Sequence, residues 1–412
     1  MDRTILHVDI NNFFAAVECL YNPEIRDKPV AVAGDVELRH GIVLAKNLIA
    51  KSYGVRTGET LSEARAKCPG IVFVPPHMER YIEFSRRARE IYDEYTHRVE
   101  SFGIDECWLD VSGDARSGKE IADEIRERVK KELGITASVG VSYNKVFAKM
   151  GSDYKKPDAT TVITRENFRK LLWPLPVTDL LFVGGATARK LKLYGIRSIG
   201  DLACADFELI RGVLGKNGCM LWKFANGLDR TPVLESCASI KIKSIGNSTT
   251  TPRDLVCDDD VRVTLYVLCE SVAARLREQC FKCTTVQIHV RDSSLESYER
   301  QVKLPYETWL ARDIFDAAFM LYKRHHDGRP IRTLGVRAMD LVSQESAQIR
   351  LLPESPTAER DEALELAVFG LRERFGNAIV RRGILLTDPK LSSFSPRDEH
   401  VIHPELFDKQ RA

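Results

Sequence analysis

Three acidic residues stand where this chain otherwise builds core strands. Asp9 ends the apolar run Thr4-Ile-Leu-His-Val-Asp9-Ile10, and the adjacent pair Asp105-Glu106 interrupts Ser101-Phe-Gly-Ile-Asp105-Glu106-Cys-Trp-Leu-Asp-Val-Ser112. Burying an unpaired carboxylate costs on the order of several kcal/mol or forces it to protonate, so acids beside core strands need a cation or a basic partner. A divalent metal shared by all three is the economical answer. Oxygen-only ligands point to a hard divalent ion, Mg²⁺ or Mn²⁺. An isolated Asp-Glu pair is ordinarily a solvated turn; the third acid and the lysines downstream tip the balance here.

The hydrophobic pattern organises the chain around these acids. A strand at 3–10 leads into a helix from Phe13 to Leu20 that Asn22-Pro23 stops, and a strand follows at 29–33. Ile42, Ala45, Leu48 and Ile49 recur at helical spacing up to Gly54, predicting a helix that carries Lys46 and Lys51. A long amphipathic helix at 78–97 precedes strands at 99–104 and 107–112, which form a hairpin with Asp105-Glu106 at or near its tip. A helix at 117–133 closed by Gly134 and a strand at 135–142 complete a ferredoxin-like order.

After Lys155-Lys156-Pro157 the texture changes to short helices over 165–232, where Gly184-Gly185 opens a basic helix suited to a backbone phosphate. Residues 233–240 read as a linker. The stretch 241–344 again alternates strand, helix, two strands, helix, strand, with a helix at about 258–277 and strands at 283–291 and 298–304, yet it is no sequence repeat of the first unit. A final amphipathic helix at 357–375 ends at Gly376, and the residues beyond it, rich in Ser, Pro and charge, read as mobile.

A chain of 412 residues is long enough for several modules. Its 61 Lys and Arg against 59 Asp and Glu leave a formal charge of +2, so a nucleic-acid partner must be held by local patches. The ten cysteines are scattered, no secretory signal follows Met1, and no apolar run spans a bilayer, which reads as cytoplasmic, reduced and free of membrane. Cys280-Phe-Lys-Cys283 is half a zinc site with no second half, so it reads as a helix end and a strand start.

A central strand and a neighbouring hairpin can bring Asp9, Asp105 and Glu106 together around two metal ions, the arrangement that stabilises both oxygens of an in-line displacement at phosphorus. Asn144-Lys145-Val-Phe-Ala-Lys149-Met-Gly-Ser152-Asp-Tyr-Lys155-Lys156-Pro157 puts cations beside those acids, as a triphosphate would require. Phe13 reads as core. A flat Phe14 ring under the sugar of a nucleotide would exclude a 2′-hydroxyl.

Together, Val8-Asp9-Ile-Asn-Asn-Phe13-Phe14-Ala15, Gly54-Val-Arg-Thr-Gly58, Ser101-Phe-Gly-Ile-Asp105-Glu106, Asn144-Lys-Val-Phe-Ala-Lys149 with Lys156-Pro157, and Lys243-Ser-Ile-Gly246 with Thr251-Pro-Arg-Asp254 resemble the Y-family of translesion DNA polymerases, in particular the bacterial type. The resemblance covers about residues 1–345. It implies an α+β multidomain fold: a right-hand polymerase with a ferredoxin-like palm (1–10 and 76–165), small fingers (11–75), a helical thumb (166–232), a linker (233–240), a separate α+β little finger (241–344) and a C-terminal tail (345–412).

By the same resemblance, Asp9, Asp105, Glu106 and the Ile10 carbonyl would bind two Mg²⁺ ions, with Mn²⁺ able to substitute. The reaction would add deoxynucleotides to a primer 3′-hydroxyl with low fidelity. Phe14 would be the steric gate; Lys51, Lys156 and Asn12 would bind the triphosphate; Ile42, Leu44 and Gly58 would border the templating base. The implied partners are primer-template DNA, deoxynucleoside triphosphates and the bacterial sliding clamp, with the chain acting as a monomer. Gln348-Ile-Arg-Leu351-Leu352 resembles the short peptide that docks into that clamp, though it lacks the aromatic anchor. The rival reading from another class is a catalytically weak polymerase-like scaffold that binds primer-template DNA and the clamp.

The chain also departs from the family pattern. Ala45 and Leu48 stand where relatives carry hydroxyls to the triphosphate, which predicts weaker nucleotide binding unless Lys46, Lys51 or Asn12 compensates. Leu44 replaces a smaller residue, predicting a tighter lesion pocket. Phe182 stands where the thumb's helix-hairpin-helix usually has its first glycine.

Overall fold

The computed structural model describes residues 3–34, 41–236, 242–343, 358–376 and 379–394. It divides into two compact units, the first ending in the 230s and the second holding the remainder of the described chain. The first unit begins with β1 (Ile5–Ile10), α1 (Phe13–Tyr21), β2 (Val30–Ala33), β3 (Val43–Lys46), α2 (Leu48–Ser52), α3 (Leu61–Lys67) and β4 (Val72–Val74). It continues through α4 (Met78–Asp93), β5 (Val99–Ser101), β6 (Glu106–Asp110), α5 (Gly118–Arg128), β7 (Ala137–Ser142), α6 (Lys145–Tyr154) and β8 (Thr160–Val162).

The main sheet runs β5-β6-β1-β7-β8, with β1 antiparallel to both β6 and β7, and β8 added parallel to β7. This is the ferredoxin-like order expected. Alternation along β1 sends Leu6, Val8 and Ile10 into the core with α4 and α5, while His7 and Asp9 face α6. Gly140, opposite His7 in the register, lets α6 approach: a Cβ there would lie 1.9 Å from the Ala148 carbonyl oxygen and 2.4 Å from the Ser152 nitrogen.

Residues 42–54 do not form one helix. Residues 43–46 pair with β2 in a three-stranded sheet of order β3-β2-β4, and only α2 is helical. The cause is Asn47, whose Oδ1 accepts from the Ala50 and Val30 amides at 2.9 and 3.1 Å while its Nδ2 donates to the Lys28 carbonyl at 2.7 Å. That side chain starts a new helix, and strand pairing overrides the apolar spacing. The helix expected to reach 97 stops at Asp93. The one expected at 117–133 finishes as a π-helical turn, Val129–Leu133, closed by Gly134 at φ 71°.

The helices α7 (Phe168–Leu172), α8 (Gly185–Lys192), α9 (Ile199–Cys204) and α10 (Phe207–Ala225) follow, with α10 kinked at Gly215. Phe182 has φ 68°, so the backbone keeps the left-handed conformation that suits a glycine, and its side chain is exposed. The linker expected from 233 begins tied down. Arg3 donates to the Thr231 carbonyl (2.9 Å), the Leu234 amide to Glu100 (2.8 Å) and the Ser236 hydroxyl to Asp93 (2.7 Å), while Val233 is buried with Ile5 and Trp108.

The second unit comprises β9 (Ser244–Leu255), α11 (Asp258–Glu278), β10 (Phe281–Asp292), β11 (Ser297–Thr308), α12 (Ala311–His325) and β12 (Ile331–Ser343). Its sheet order, β11-β10-β12-β9, differs from the first although the sequence of elements is alike. Cys280 lies exposed after α11, whereas Cys283 is buried in β10.

Residues 379–394 are no mobile tail. After α13 (Ala358–Phe375), a 3₁₀ turn and α14 (Pro389–Ser392) insert Leu385 and Leu391 into this unit's core. Nor does α13 gather its apolar residues onto one buried face: Leu364, Leu366, Leu371 and Phe375 are exposed. Ion pairs hold the segment instead. Glu270 receives Arg372 at 3.0 Å and Arg382 at 2.8 Å, and Glu365 receives Arg382 at 2.9 Å and Arg277 at 3.3 Å. Gln348, Leu351 and Leu352 lie outside the described residues, as do 395–412.

Candidate active site

The acids meet at one end of the main sheet. Asp9 on β1 pairs in register with Glu106, the first residue of β6, and Asp105 precedes it in the hairpin loop, where its carbonyl accepts the Ile10 amide at 3.1 Å. From α6, Lys149 Nζ reaches Asp9 Oδ2 at 3.1 Å and Glu106 Oε1 at 2.9 Å. Lys156 Nζ lies 2.6 Å from Asp9 Oδ2. Asp153 joins both lysines, at 3.3 Å to Lys149 and 2.7 Å to Lys156.

Burial dominates the electrostatics. It pushes the Asp9 carboxyl up to about 7, against the pull of Lys156, and the Asp105 carboxyl up to about 6, with Glu106 adding to the rise. It also works against the Glu106 carboxylate, but the His7 and Lys149 contacts more than offset it, holding that group below the ordinary range. His7, with no exposed surface, is pushed down to about 4 by burial.

The arrangement suits a divalent cation. Its donors are all oxygens, and Asp9 Oδ2 and Glu106 Oε1 already converge on one positive charge, the Lys149 ammonium group. Among the described residues no three His, Cys, Asp or Glu side chains converge into a ready-made cage. The lysine ammonium groups hold the acid oxygens that an incoming ion would take.

Phe13 is core, as expected, and Phe14 is half-buried with its ring stacked on Tyr81 at 4.1 Å and 8°. The Tyr81 hydroxyl donates to Glu18 Oε1 at 2.6 Å, and Glu18 also pairs with Arg80 and His77. Asn12, at φ 51°, turns the chain from β1 into α1 without using its side chain as a cap.

The other expected residues lie around the small sheet. The Gly58 amide donates to the Val43 carbonyl at 2.8 Å, which brings Gly58 beside Leu44, and Ile42 bridges Thr60. Lys51 is exposed on α2; Lys46 Nζ donates to Thr57 at 3.1 Å, and burial with the nearby Lys51 charge lowers its pKa. Sequence reasoning did not single out His7, Tyr81, Asp153 or Ser152. For His7 the signal existed: two residues before Asp9 on a strand, it must share the face of Asp9.

The impB/mucB/samB family matches residues 8–153, its C-terminal domain matches 242–351, and the IMS family HHH motif matches 165–196. The DNA polymerase IV of Acetivibrio thermocellus is 53% identical over 397 residues, covering 95% of this chain and 100% of that protein. The chain belongs to the impB/mucB/samB family.

Within that family, the DNA polymerase IV of Clostridium acetobutylicum is 37% identical over 94% of this chain and 99% of that protein. DNA polymerase IV 1 of Bacillus subtilis is 36% identical over 93% of each. A Y-family DNA polymerase chimera of known structure shares the fold at a TM-score of 0.73, with 24% identity, covering 82% of this chain and 99% of that one. This impB/mucB/samB member is thus a DNA-directed DNA polymerase of the translesion type.

Proposed function

We propose that this polymerase extends a primer 3′-hydroxyl with two Mg²⁺ ions, for which Mn²⁺ can substitute, held by Asp9, Asp105, Glu106 and the Ile10 carbonyl. The observation that carries this reading is the register pairing of Asp9 with Glu106, Asp105 alongside, under two lysines. Bound divalent ions supply Lewis-acid stabilisation of the attacking and leaving oxygens. The chain's own residues do the rest. Lys156, drawn off Asp9 by the phosphates of an arriving nucleotide, would bind the triphosphate, with Lys51 and Asn12 assisting. Phe14, braced by Tyr81, would lie against the sugar, and Ile42, Leu44 and Gly58 would border the templating base.

The reading extends to a cytoplasmic monomer, brought to primer-template DNA by the sliding clamp through Gln348, Leu351 and Leu352. Among the described residues no helix is long and apolar enough to cross a membrane. Alanine at those three positions should leave unassisted extension intact and remove stimulation by the clamp; retained stimulation would discard the clamp contact.

Primer extension in Mg²⁺ with and without Asp105→Ala tests the centre of the proposal. Wild-type protein should extend and the variant should not. Undiminished extension by the variant would refute the metal assignment.

A further inference from the structure

His7 takes no part in the function argued above, yet it is the best-enclosed titratable group beside the acids. Its Nδ1 lies 2.8 Å from Ser152 Oγ, and its Nε2 lies 3.4 Å from Glu106 Oε2; those facing Nε2 and Oε2 atoms are both buried without a hydrogen-bond partner. The ring is held edge-on against Trp108, with centroids 5.2 Å apart. Close packing makes the arrangement possible. Gly140, opposite His7, and Gly151, whose added Cβ would lie 2.9 Å from the Gly140 Cα, let α6 sit low enough on the sheet for Ser152 to touch the imidazole.

Counting protons decides how the three groups connect. Ser152 has one hydroxyl proton and two acceptors within reach, His7 Nδ1 and the Lys149 carbonyl, each at 2.8 Å. A neutral imidazole has one N–H. If the hydroxyl proton goes to Lys149, Nδ1 must keep the imidazole proton, and Nε2 then faces a carboxylate oxygen bare, acceptor against acceptor in a dry place. If it goes to Nδ1, the imidazole proton sits on Nε2 and points at Glu106. Lys149 lies inside α6, where its carbonyl has a helical donor of its own, so this second arrangement leaves no group stranded.

We propose that Ser152 and His7 form a brace, Ser152 O–H to Nδ1 and Nε2–H to Glu106 Oε2, that fixes the Glu106 carboxylate so that Oε1 is the oxygen offered to a divalent ion. Oε1 is the oxygen Lys149 now holds at 2.9 Å. His7 is then a positioning residue. Outer partners that orient a metal-binding side chain in this way typically change metal affinity by roughly 10–100-fold when removed. The inference rests on Glu106 being a metal ligand, and the experiment separates the two claims.

Mn²⁺ binding to the full chain, with primer-template DNA and a non-hydrolysable deoxynucleotide, is read by electron paramagnetic resonance for wild type, His7→Phe, His7→Gln, Ser152→Ala and Asp105→Ala. Expected are Mn²⁺ affinity at least about 10-fold weaker in His7→Phe, a smaller loss in Ser152→Ala, and recovery in His7→Gln, whose amide N–H can reach Glu106. In steady-state extension, His7→Phe should lower kcat while KM for the nucleotide stays within about twofold. Wild-type Mn²⁺ affinity in His7→Phe alongside lost affinity in Asp105→Ala overturns the brace and leaves the metal site standing. Wild-type affinity in Asp105→Ala as well overturns the metal site. Should His7→Phe fail to fold, unchanged affinity in Ser152→Ala overturns the brace by itself.

Discussion

At the scale of single residues, Phe14 gains its meaning from what lies behind it. A lone ring on a helix can swing aside, but one stacked face to face on Tyr81 cannot do so without losing that contact, and Tyr81 is pinned through its hydroxyl to the buried Glu18. Phe14→Ala should raise ribonucleotide incorporation by about 10-fold or more relative to deoxyribonucleotide. Single-nucleotide extension with paired rNTP and dNTP measures it, and unchanged discrimination would leave Phe14 a core residue. Tyr81→Phe keeps the stack but deprives Glu18 of a donor, so it should cost about 1–3 kcal/mol in denaturant unfolding while loosening sugar selection less than Phe14→Ala does.

At the scale of elements, the proposed nucleotide grip depends on a junction between a strand and a helix. The two positions without hydroxyls do not share a helix: Ala45 lies on β3 and Leu48 opens α2, with Asn47 bonded to Lys28, Val30 and Ala50 between them. Because Asn47 fixes the junction, a side chain added at either position projects from a settled backbone. Ala45→Thr and Leu48→Tyr should each lower KM for the incoming nucleotide, by up to about 10-fold for one bond to a charged phosphate at about 1.5 kcal/mol. Steady-state kinetics on an undamaged template checks this, and an unaltered KM in both would mean that Lys46 or Lys51 already supplies the grip.

Across the whole molecule, the second unit includes chain well beyond its sheet. Removing residues 344–412 strips Leu385 and Leu391 from its core, takes both arginines, Arg372 and Arg382, from Glu270 and takes Glu365 from Arg277. Leaving a buried ion unpaired costs about 3–5 kcal/mol, so calorimetry should show one transition falling by several degrees while the other holds. Acid offers a second probe of this unit. Arg253 holds the Asp260 carboxyl down at about 2. Since the folded pKa lies below the unfolded one, the stabilisation is complete above about pH 4 and fades as pH falls towards 2. Asp260→Asn should be less stable than wild type at neutral pH, with the gap closing in acid; a gap constant from pH 6 to pH 2 would contradict the ion-pair account.

Much of this was legible from residue order alone. Apolar runs interrupted by Asp9 and Asp105-Glu106 called for a cation or a basic partner, and the order of strands and helices around them gave the ferredoxin-like sheet, because alternation and helical spacing are local properties that survive folding. Locality is also where the reading stopped. Ile42 to Gly54 had helical spacing, yet pairing with β2 and the side chain of Asn47 drew a strand from it. Residues 379–394 read as mobile, yet Leu385 and Leu391 found a core supplied by distant helices. Ser152 and His7 are 145 positions apart, and only the glycines at 140 and 151, by letting a helix settle onto a strand, place them in contact. Sequence by itself determined which groups needed partners; tertiary structure decided which partners they received, since contact across elements depends on backbone approach that no local pattern records.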